Sequence, residues 1–404
     1  MPGLKIAMVA ACPFPWPRGT PARILRLSEA LCERGHQVHL VTYHLGEGCT
    51  PLPFEVHRTR HIRTYRKTTP GPSLQKLLLM DSLMAIELRR VIGQERIDVV
   101  HAHHYEGLLV SALAQVGRKR RPVVYDAHTL LESELPFYGP PLARKLVSRV
   151  GRRIDGWLPS RADHVVAVTE QIKGILVRVG RIPEERVTVA PNGVELARFA
   201  KSVGATGHRP TASAPVFTLG YTGNLAAYQG IGLLLQATKN VLAVRRDVRL
   251  LIATGSPTEK WRSEVKRLGL GQHVDFTSDN LDTLPEVLVG FDIALNPRPR
   301  CEGIPYKLLN YIAAGKPVVS FRGSARGVAE DAVLTVPDGD TSAFAAAILR
   351  LLDDPALARS LGRRARRAAE EDHSWERTAE VVEGVYMRML GLTNESCKTA
   401  GGAR

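Results

Sequence analysis

The sequence predicts an α/β fold with two doubly wound, parallel-sheet domains, and three observations support this. The chain has 404 residues, which is more than one ordinary hydrophobic core accommodates. Its first segments are an apolar run at 4–10, a helical pattern at 22–34 and a second apolar run at 37–43, which together form a βαβ unit. The alternation starts again with an apolar run at 216–221 and a helical pattern at 231–242. Crossovers of this kind join parallel strands.

The segments between these patterns place the domain boundaries. Residues 200–215 are small, polar and without periodicity, so we interpret them as the linker between a first domain at 1–199 and a second domain at 216–374. A last helical pattern follows at 375–390. We expect the tail at 391–404 to be disordered.

The composition argues against several classes of protein. Five scattered cysteines without paired spacing oppose a disulfide framework or a zinc site, and they favour a reducing compartment. The amino-terminal segment lacks the pattern of a signal peptide, and no apolar stretch approaches the ~18 residues that would span a bilayer. We therefore expect a cytoplasmic protein.

The net charge of +15 favours anionic partners such as nucleic acid, anionic lipid or phosphorylated substrates. No compact nucleic-acid-binding motif accompanies this charge, and aromatic residues make up only 6% of the chain, so we expect no nucleic-acid partner. Solvated helix faces, such as the arginine-rich one at 361–371, explain part of the charge equally well.

Two predicted strands of the first domain end in polar residues. His103 follows the apolar run at 97–100, and Asp126 and His128 follow the run at 122–125. Ligands of doubly wound sheets bind beyond the carboxyl ends of the strands, so these side chains are candidates for contacting a polar substrate. A helix N-cap by Asp126 is the alternative, and both roles are compatible. No further ligands stand at metal-binding spacing, so we expect no metal ion.

A basic amphipathic helix is predicted at 141–157. Leu146, Val150 and Trp157 fall on one apolar stripe, while arginines such as Arg149 lie mostly elsewhere. Two interpretations stay open: the helix lies on an anionic membrane surface, or it packs its stripe on the sheet and exposes its charges. On a membrane it would bring the protein to a lipid-linked substrate.

The segment 291–320 is the most informative part of the second domain. An apolar run that ends in proline predicts a buried strand, and Pro305 opens a helix with one apolar face before a further strand. The loop before this helix carries Arg298 and Glu302, and the first turn of the helix carries Lys307. Cations beside a helix N-terminus indicate an anion site, with a solvated basic loop as the alternative.

This segment resembles the donor-binding motif of the retaining GT-B glycosyltransferases of family 4. Members usually carry E-G-x-x-x-P-x-x-E; this chain has Glu302 at the first position and Asn310 in place of the second acid, with Pro305 two residues before the position of the motif's proline. A related branch has P-R and P-x-K in the same loop, matching Arg298 and Lys307. The resemblance extends over roughly residues 4–390. It includes the H-x-H after the predicted strand at 97–100, the run N-G-V at 192–194 and the stretch at 220–237.

The resemblance implies a GT-B fold, in which two Rossmann-like domains face each other across a cleft and the last helix crosses back onto the first domain. It implies a retaining, metal-independent and cofactor-free transfer of a hexosyl unit from a nucleotide-diphosphate sugar to a glycan or lipid-linked acceptor. The protein would work in the cytoplasm, with peripheral docking on the inner face of the plasma membrane as an option. Fixed cations and helix N-termini stabilise a departing diphosphate without a divalent ion.

The resemblance also implies roles for particular residues. Arg298 and Lys307 would stabilise the diphosphate, Glu302 would contact the hydroxyls of the sugar, and Asn310 would contact the ribose. His103, Asp126 and His128 would line the acceptor side. The other implied donor-binding residues are Gly19, Gly223, Asn224 and Leu308. Many relatives have Arg and Lys where this chain has Asn224 and Gln229.

Other classes of function stay open at this level. A UDP-sugar 2-epimerase shares the two-domain architecture but acts without an acceptor. A non-catalytic relative that binds sugar nucleotides or polysaccharides is compatible with Asn224, Gln229 and Asn310. Steeply salt-dependent binding to DNA without turnover would indicate a nucleic-acid role.

Overall fold

A computed structural model of the chain describes residues 3–15, 19–46, 51–67, 71, 73, 75–138, 144–202, 216–278, 283–301 and 303–392. The chain divides into two compact units, one formed by Met1–Asn192 with Trp375–Arg404 and the other by Gly193–Ser374. Each unit is an α/β domain around its own parallel sheet, which confirms the predicted fold class. Most of the predicted linker (from 203) and most of the predicted tail (from 393) lie outside the described residues.

The first unit contains a parallel sheet of seven strands. Its strands are β1 (Lys5–Ala10), β2 (Gln37–Thr42), β3 (Glu55–Arg58), β4 (Val99–His103), β5 (Val123–Ala127), β6 (His164–Ala167) and β7 (Val187–Val189). Their order across the sheet is β3-β2-β1-β4-β5-β6-β7. From β1 the chain adds strands first on one side of the sheet (β2 and β3) and then on the other (β4 to β7). Ligands of such sheets bind at the carboxyl ends of the strands, at this switch point between β1 and β4.

Helices cover both faces of this sheet, so its central strands are buried on both sides and consist largely of apolar residues. The helices of the first unit are α1 (Gly19–Glu33), α2 (Asp81–Gln94), α3 (His104–Ala114), α4 (Leu131–Glu134), α5 (Arg144–Trp157), α6 (Glu170–Gly180) and, from the end of the chain, α13 (Trp375–Met389). A π-helical turn at Lys76–Met80 leads into α2. The last helix packs against α1, so residues far apart in sequence cover the same face.

The sequence pattern predicted no strand in the segment 44–73, but this segment contains β3, which forms the edge of the sheet. An edge strand with the polar sequence EVHR gives no apolar run, so its pattern was not recognisable. The first helix begins at Gly19 rather than at residue 22, and the predicted basic helix is described from Arg144 onward.

The second unit contains a parallel sheet of six strands. Its strands are β8 (Phe217–Thr222), β9 (Val248–Ala253), β10 (Val274–Thr277), β11 (Ile293–Asn296), β12 (Val318–Phe321) and β13 (Leu334–Val336). They lie in the order β10-β9-β8-β11-β12-β13, again with a reversal in the middle. The helices are α7 (Ile231–Leu242), α8 (Glu259–Arg267), α9 (Leu284–Val289), α10 (Tyr306–Ala313), α11 (Thr341–Asp353) and α12 (Pro355–Asp372).

The second unit starts earlier than the predicted boundary at 199. Val194 and Phe199 are buried in its core together with Phe291 and Leu308. A backbone bridge also joins Val194 to Ser374. Packing therefore assigns 193–199 to the second unit, although the sequence pattern placed them in the first. Among the helices that the structure describes, none is both long and apolar enough to cross a bilayer.

Candidate functional site

A buried cluster of polar side chains lies at the carboxyl end of the first unit's sheet. His101 and His103 belong to β4, and Asp126 lies beside His103 on the neighbouring β5. His128 follows β5, and Arg23 reaches the cluster from α1. Residues two apart on a strand share one face of the sheet, which explains the grouping. The structure therefore brings together the three residues predicted from the first domain.

Asp126 and Arg23 form a fully buried ion pair within this cluster. Nε of Arg23 donates to Oδ2 of Asp126 at 3.0 Å, and Nε2 of His101 lies 3.1 Å from the same oxygen. Burial alone would raise the pKa of a carboxyl. The Arg23 guanidinium and the neighbouring imidazoles instead hold the pKa of Asp126 well below its usual range. Asp126 is therefore a fixed negative charge at neutral pH.

The other donors of Arg23 bind the chain where it leaves the first unit. Nη1 donates to the carbonyl of Pro191 and to Oδ1 of Asn192, both at 3.1 Å, and Nη2 donates to the carbonyl of Ala190 at 3.0 Å. Sequence reasoning missed this arginine. The available signal was its position four residues before Leu27, on the face of α1 that is buried.

His103 and His128 are neutral imidazoles in contact with each other. Nδ1 of His103 lies 3.0 Å from Nε2 of His128. Burial, the largest cause, lowers the pKa of both rings well below the ordinary value. A neutral imidazole offers one donor and one acceptor, so the pair is suited to hydrogen-bonding a hydroxyl group. His101 is held from behind by Tyr386 of α13, whose hydroxyl lies 2.6 Å from Nδ1.

The first turn of α1 also lies at this end of the sheet. Oγ1 of Thr20 is 2.8 Å from Nε2 of His104, and the ring of His104 stacks on that of His128 with 4.5 Å between centroids. Gly19 precedes Thr20 and therefore lies beside the cluster. The structure thus places this implied donor-binding residue in the first turn of α1.

The second unit has a corresponding cluster at the carboxyl end of β8. Nζ of Lys307, in the first turn of α10, donates to the hydroxyl of Tyr221 and to Oε1 of Gln229, both at 2.7 Å. The same ammonium lies 4.0 Å from the centroid of the Tyr221 ring. The lysine is buried, and these two partners, both uncharged, help to fix its position.

Gly223 and Asn224 complete this cluster. Gly223 has φ of +116°, which a residue with a side chain rarely adopts, and a Cβ there would stand 3.4 Å from Nζ of Lys307. Oδ1 of Asn224 accepts from Nε2 of Gln229 at 3.4 Å. Gln229 therefore contacts and orients Lys307, and Asn224 contacts Gln229 in turn.

Of the two predicted residues in the loop before α10, Arg298 and Glu302, the structure describes only Arg298. The guanidinium of Arg298 lies 4.8 Å from the ring centroid of Tyr228, whose hydroxyl accepts from Nδ2 of Asn224 at 3.2 Å. Arg298 is thus linked to the Lys307 cluster through one aromatic side chain. Glu302 lies outside the described residues.

The two remaining predicted donor residues lie on α10. Asn310 is half-buried and one turn beyond Lys307, so both lie on the same side of the helix. Leu308 has no solvent exposure, and its backbone N–H donates to the carbonyl of Pro305 at 2.9 Å. The side chain of Leu308 therefore packs in the core and supports the helix from below, and its predicted role in donor binding stays a prediction.

Solved structures of the same architecture define the class of protein. The fold is similar to that of HepE from Anabaena, which was solved in complex with UDP, with a TM-score of 0.69 and 16% sequence identity. The superposition covers 95% of this chain and 100% of HepE. Two parallel-sheet domains with polar clusters at the carboxyl ends of their strands are the GT-B architecture of glycosyltransferases.

Two family models identify the protein family within this class. Residues 17–198 match the model described as Glycosyltransferase Family 4, and residues 216–354 match Glycosyl transferases group 1. The chain belongs to the GT-B glycosyltransferases of family 4, as its sequence resemblance predicted.

Two curated relatives match along most of their length. D-inositol 3-phosphate glycosyltransferase of Kineococcus radiotolerans is 26% identical, over 92% of this chain and 91% of the relative. Phosphatidyl-myo-inositol mannosyltransferase of Mycolicibacterium smegmatis is 24% identical, over 98% and 99% respectively.

Proposed function

We propose that this glycosyltransferase moves a hexosyl unit from a nucleotide-diphosphate sugar to a glycan or lipid-linked acceptor, with retention of configuration and without a metal ion. The observation that carries the proposal is the position of Lys307. Its ammonium is held at the start of α10 and at the carboxyl end of β8, which is where doubly wound domains bind phosphorylated ligands. The solved complex of HepE with UDP and the sugar transfer named in the relatives support a nucleotide-sugar donor.

The departing group explains why fixed cations matter. As the glycosidic bond breaks, negative charge develops on the nucleoside diphosphate, and preorganised donors stabilise it more in the transition state than in the ground state. Lys307 and Arg298 supply the positive charge in this proposal, and the N–H groups of the first turn of α10 point the same way. Asn310 contacts the ribose and Glu302 the hydroxyls of the sugar, as the family motif implies.

The first unit supplies the acceptor side. His128, the more exposed of the two neutral imidazoles, hydrogen-bonds the acceptor hydroxyl, and its contact with His103 gives a route for the proton. Asp126 is already balanced by Arg23 at 3.0 Å, so it orients the imidazoles instead of binding a cation. This pairing supports a metal-independent reaction. The names of the relatives, which include inositol phosphate and phosphatidylinositol, support a polyol acceptor.

The test is calorimetric titration with UDP-, GDP- and ADP-sugars, followed by turnover with the donor that binds. Lys307→Met is expected to weaken donor binding at least ~10-fold and to lower kcat by ~100-fold or more. Lys260→Met is the matched control, because Lys260 also lies over an aromatic ring, at 5.1 Å from the Trp261 centroid, but on the exposed face of α8. Equal donor affinity in both variants would refute the role of Lys307.

Two further readouts test the chemistry. The anomeric configuration of the product, measured by NMR, must match that of the donor if the transfer is retaining. Activity must also persist in excess chelator. An inverted product or loss of turnover on chelation contradicts the corresponding part of the proposal, and donor consumption without an acceptor would favour an epimerase.

We also infer that α5 docks on an anionic membrane surface. Leu146, Val150 and Trp157 are 65%, 46% and 56% exposed, so their stripe is not packed on the sheet. The buried side of the helix is instead formed by Gly151 and Asp155, which face α4. Apolar side chains beside arginines are suited to the boundary between lipid headgroups and acyl chains.

Vesicle co-sedimentation tests this docking. We expect binding to vesicles containing phosphatidylglycerol, weaker binding in high salt, and little binding to neutral vesicles. Leu146→Gln should reduce binding about tenfold, since burying one leucine contributes ~1.5–3 kcal/mol. Leu113→Gln on α3 is the control, because Leu113 is also exposed but lies outside the stripe. Equal losses in both variants, or none in either, would contradict the inference.

A further inference from the structure

A second group of potential ligand side chains lies in the first unit, away from the proposed reaction site. It consists of His39 on β2 and Glu55 and His57 on β3. In the pairing of these parallel strands, His39 lies directly beside Glu55. His57 is two residues further along β3, so its side chain shares the face of Glu55. The ladder between β2 and β3 therefore places one carboxylate and two imidazoles on one patch of the sheet.

The distances between the ligand atoms match those around one metal ion. Nδ1 of His39 is 3.2 Å from Nε2 of His57, and each of these nitrogens is 3.6 Å from Oε2 of Glu55. Tetrahedral zinc with bonds of about 2.0–2.2 Å to nitrogen and oxygen has ligand–ligand separations of about 3.3–3.6 Å. The separations of the three atoms thus match one face of such a tetrahedron, which leaves a fourth position for a water molecule.

Hydrogen bonding alone accounts for only part of this geometry. One imidazole donates to the other at 3.2 Å, which is a satisfactory N–H···N contact. The carboxylate at 3.6 Å from both nitrogens is beyond hydrogen-bond distance, although it is close enough to share a metal ion with them. A proton between the rings satisfies two of the groups, whereas a divalent cation about 2 Å from each satisfies all three.

We propose that His39, Glu55 and His57 bind a divalent transition-metal ion, Zn²⁺ in the first place, as a structural site. Two imidazoles and one carboxylate suit zinc better than calcium or magnesium, which prefer oxygen ligands. His39 is buried and His57 mostly so, with side-chain exposures of 6% and 18%, while Glu55 is 69% exposed. The rings are thus held in place by packing, and the carboxylate closes on the ion from solvent.

The site is separate from the cluster around Asp126. His39 lies in register with Ala7 and Val100, whereas His103 lies in register with Ala10. The two rows are three residues apart, so they are about 10 Å apart along the strands and their side chains point to opposite faces of the sheet. An ion at His39 therefore takes no part in sugar transfer. Its role is to fasten the edge strand β3, whose outer side has no neighbour in this sheet, to β2.

The test is titration of chelator-treated, full-length protein with Zn²⁺ against a chromophoric chelator. We expect one tight equivalent, and a rise in Tm on its addition. Glu55→Gln and His57→Gln should each weaken binding at least ~10-fold, because loss of a direct ligand exceeds the ~10–100-fold loss seen for outer partners. His61→Gln is the control, since His61 is an exposed histidine just beyond β3.

Cobalt gives an independent readout that does not depend on activity. Co²⁺ bound by these three residues and water should show the intense visible absorption of a tetrahedral centre, and this absorption should be lost in His57→Gln. The proposal is overturned if the wild-type protein takes up no stoichiometric Zn²⁺. It is equally overturned if Glu55→Gln and His57→Gln, shown by circular dichroism to be folded, bind as tightly as His61→Gln.

Discussion

Replacing Arg23 with methionine is expected to destabilise the first unit strongly at neutral pH. The guanidinium has no solvent exposure, and its removal leaves the buried carboxylate of Asp126 without the partner that lies 3.0 Å away. The oxygens of Ala190, Pro191 and Asn192 also lose their donor. Removing one partner of a buried ion pair costs about 3–5 kcal/mol, because the remaining charge is uncompensated.

The sign of the pH dependence follows from the pKa of Asp126. In the wild-type protein this pKa is depressed, so the carboxylate stabilises the fold above its unfolded pKa and this contribution is lost as the pH falls through the folded value. Without Arg23, burial dominates and raises the pKa. The carboxyl then protonates as the pH falls, so the destabilisation by Arg23→Met should shrink between about pH 7 and about pH 5.

Urea denaturation followed by circular dichroism, at both pH values, measures these differences. Arg26→Met is the matched control on the same helix, since Arg26 makes a partly exposed ion pair with Glu29 at 2.8 Å and should contribute no more than about 1 kcal/mol. The double variant Arg23→Met/Asp126→Asn should recover most of the loss. A destabilisation by Arg23→Met below about 1 kcal/mol, or one that neither falls at low pH nor is relieved by Asp126→Asn, would refute the reasoning.

Two other predictions concern the same cluster. Tyr386→Phe removes the hydroxyl that lies 2.6 Å from Nδ1 of His101 and leaves that buried nitrogen without its partner. We expect the free energy of unfolding, measured by urea denaturation, to fall by about 1–3 kcal/mol. An unchanged unfolding midpoint would contradict the hydrogen bond. Burial lowers the pKa values of His103 and His128, so both rings are expected to stay neutral at about pH 6. The value of kcat/KM should then show no loss from histidine protonation between about pH 8 and about pH 6. A fall centred on the ordinary histidine pKa would show that the rings are exposed in the working enzyme.

The buried strands were predictable from the sequence because burial on both faces of the sheet leaves a continuous apolar run. The helices were predictable because their apolar residues recur at helical spacing. The strand β4 illustrates this, since all its positions are buried and its sequence changes to histidine only where the ligand-binding edge begins. The edge strand β3 was not predictable, because one exposed side removes the need for apolar residues. The same exposure leaves room for Glu55 and His57, which carried no signal until pairing with β2 placed them beside His39.

The grouping of the candidate residues was predictable where it depends on a place at a strand end, as for His103 and Asp126. It was not predictable where it depends on a contact across the fold. Arg23 lies 103 residues before its partner Asp126 and looks, in one dimension, like any arginine of an amphipathic helix. The burial of the Leu308 side chain was not foreseen either, because neighbouring residues of α10 point in different directions and only Lys307 faces the cluster.

The two units treat charge differently at their strand ends, and this fits a division of labour. In the first unit Arg23 balances Asp126 and the imidazoles are neutral, so the cluster offers uncharged hydrogen-bonding groups. In the second unit Tyr221 and Gln229, both uncharged, orient the ammonium of Lys307. The balanced cluster of the first unit offers hydrogen-bonding groups to a neutral hydroxyl, whereas a diphosphate is attracted by a lysine ammonium. In the proposed function, this difference favours the second unit for the anionic donor and the first unit for the acceptor.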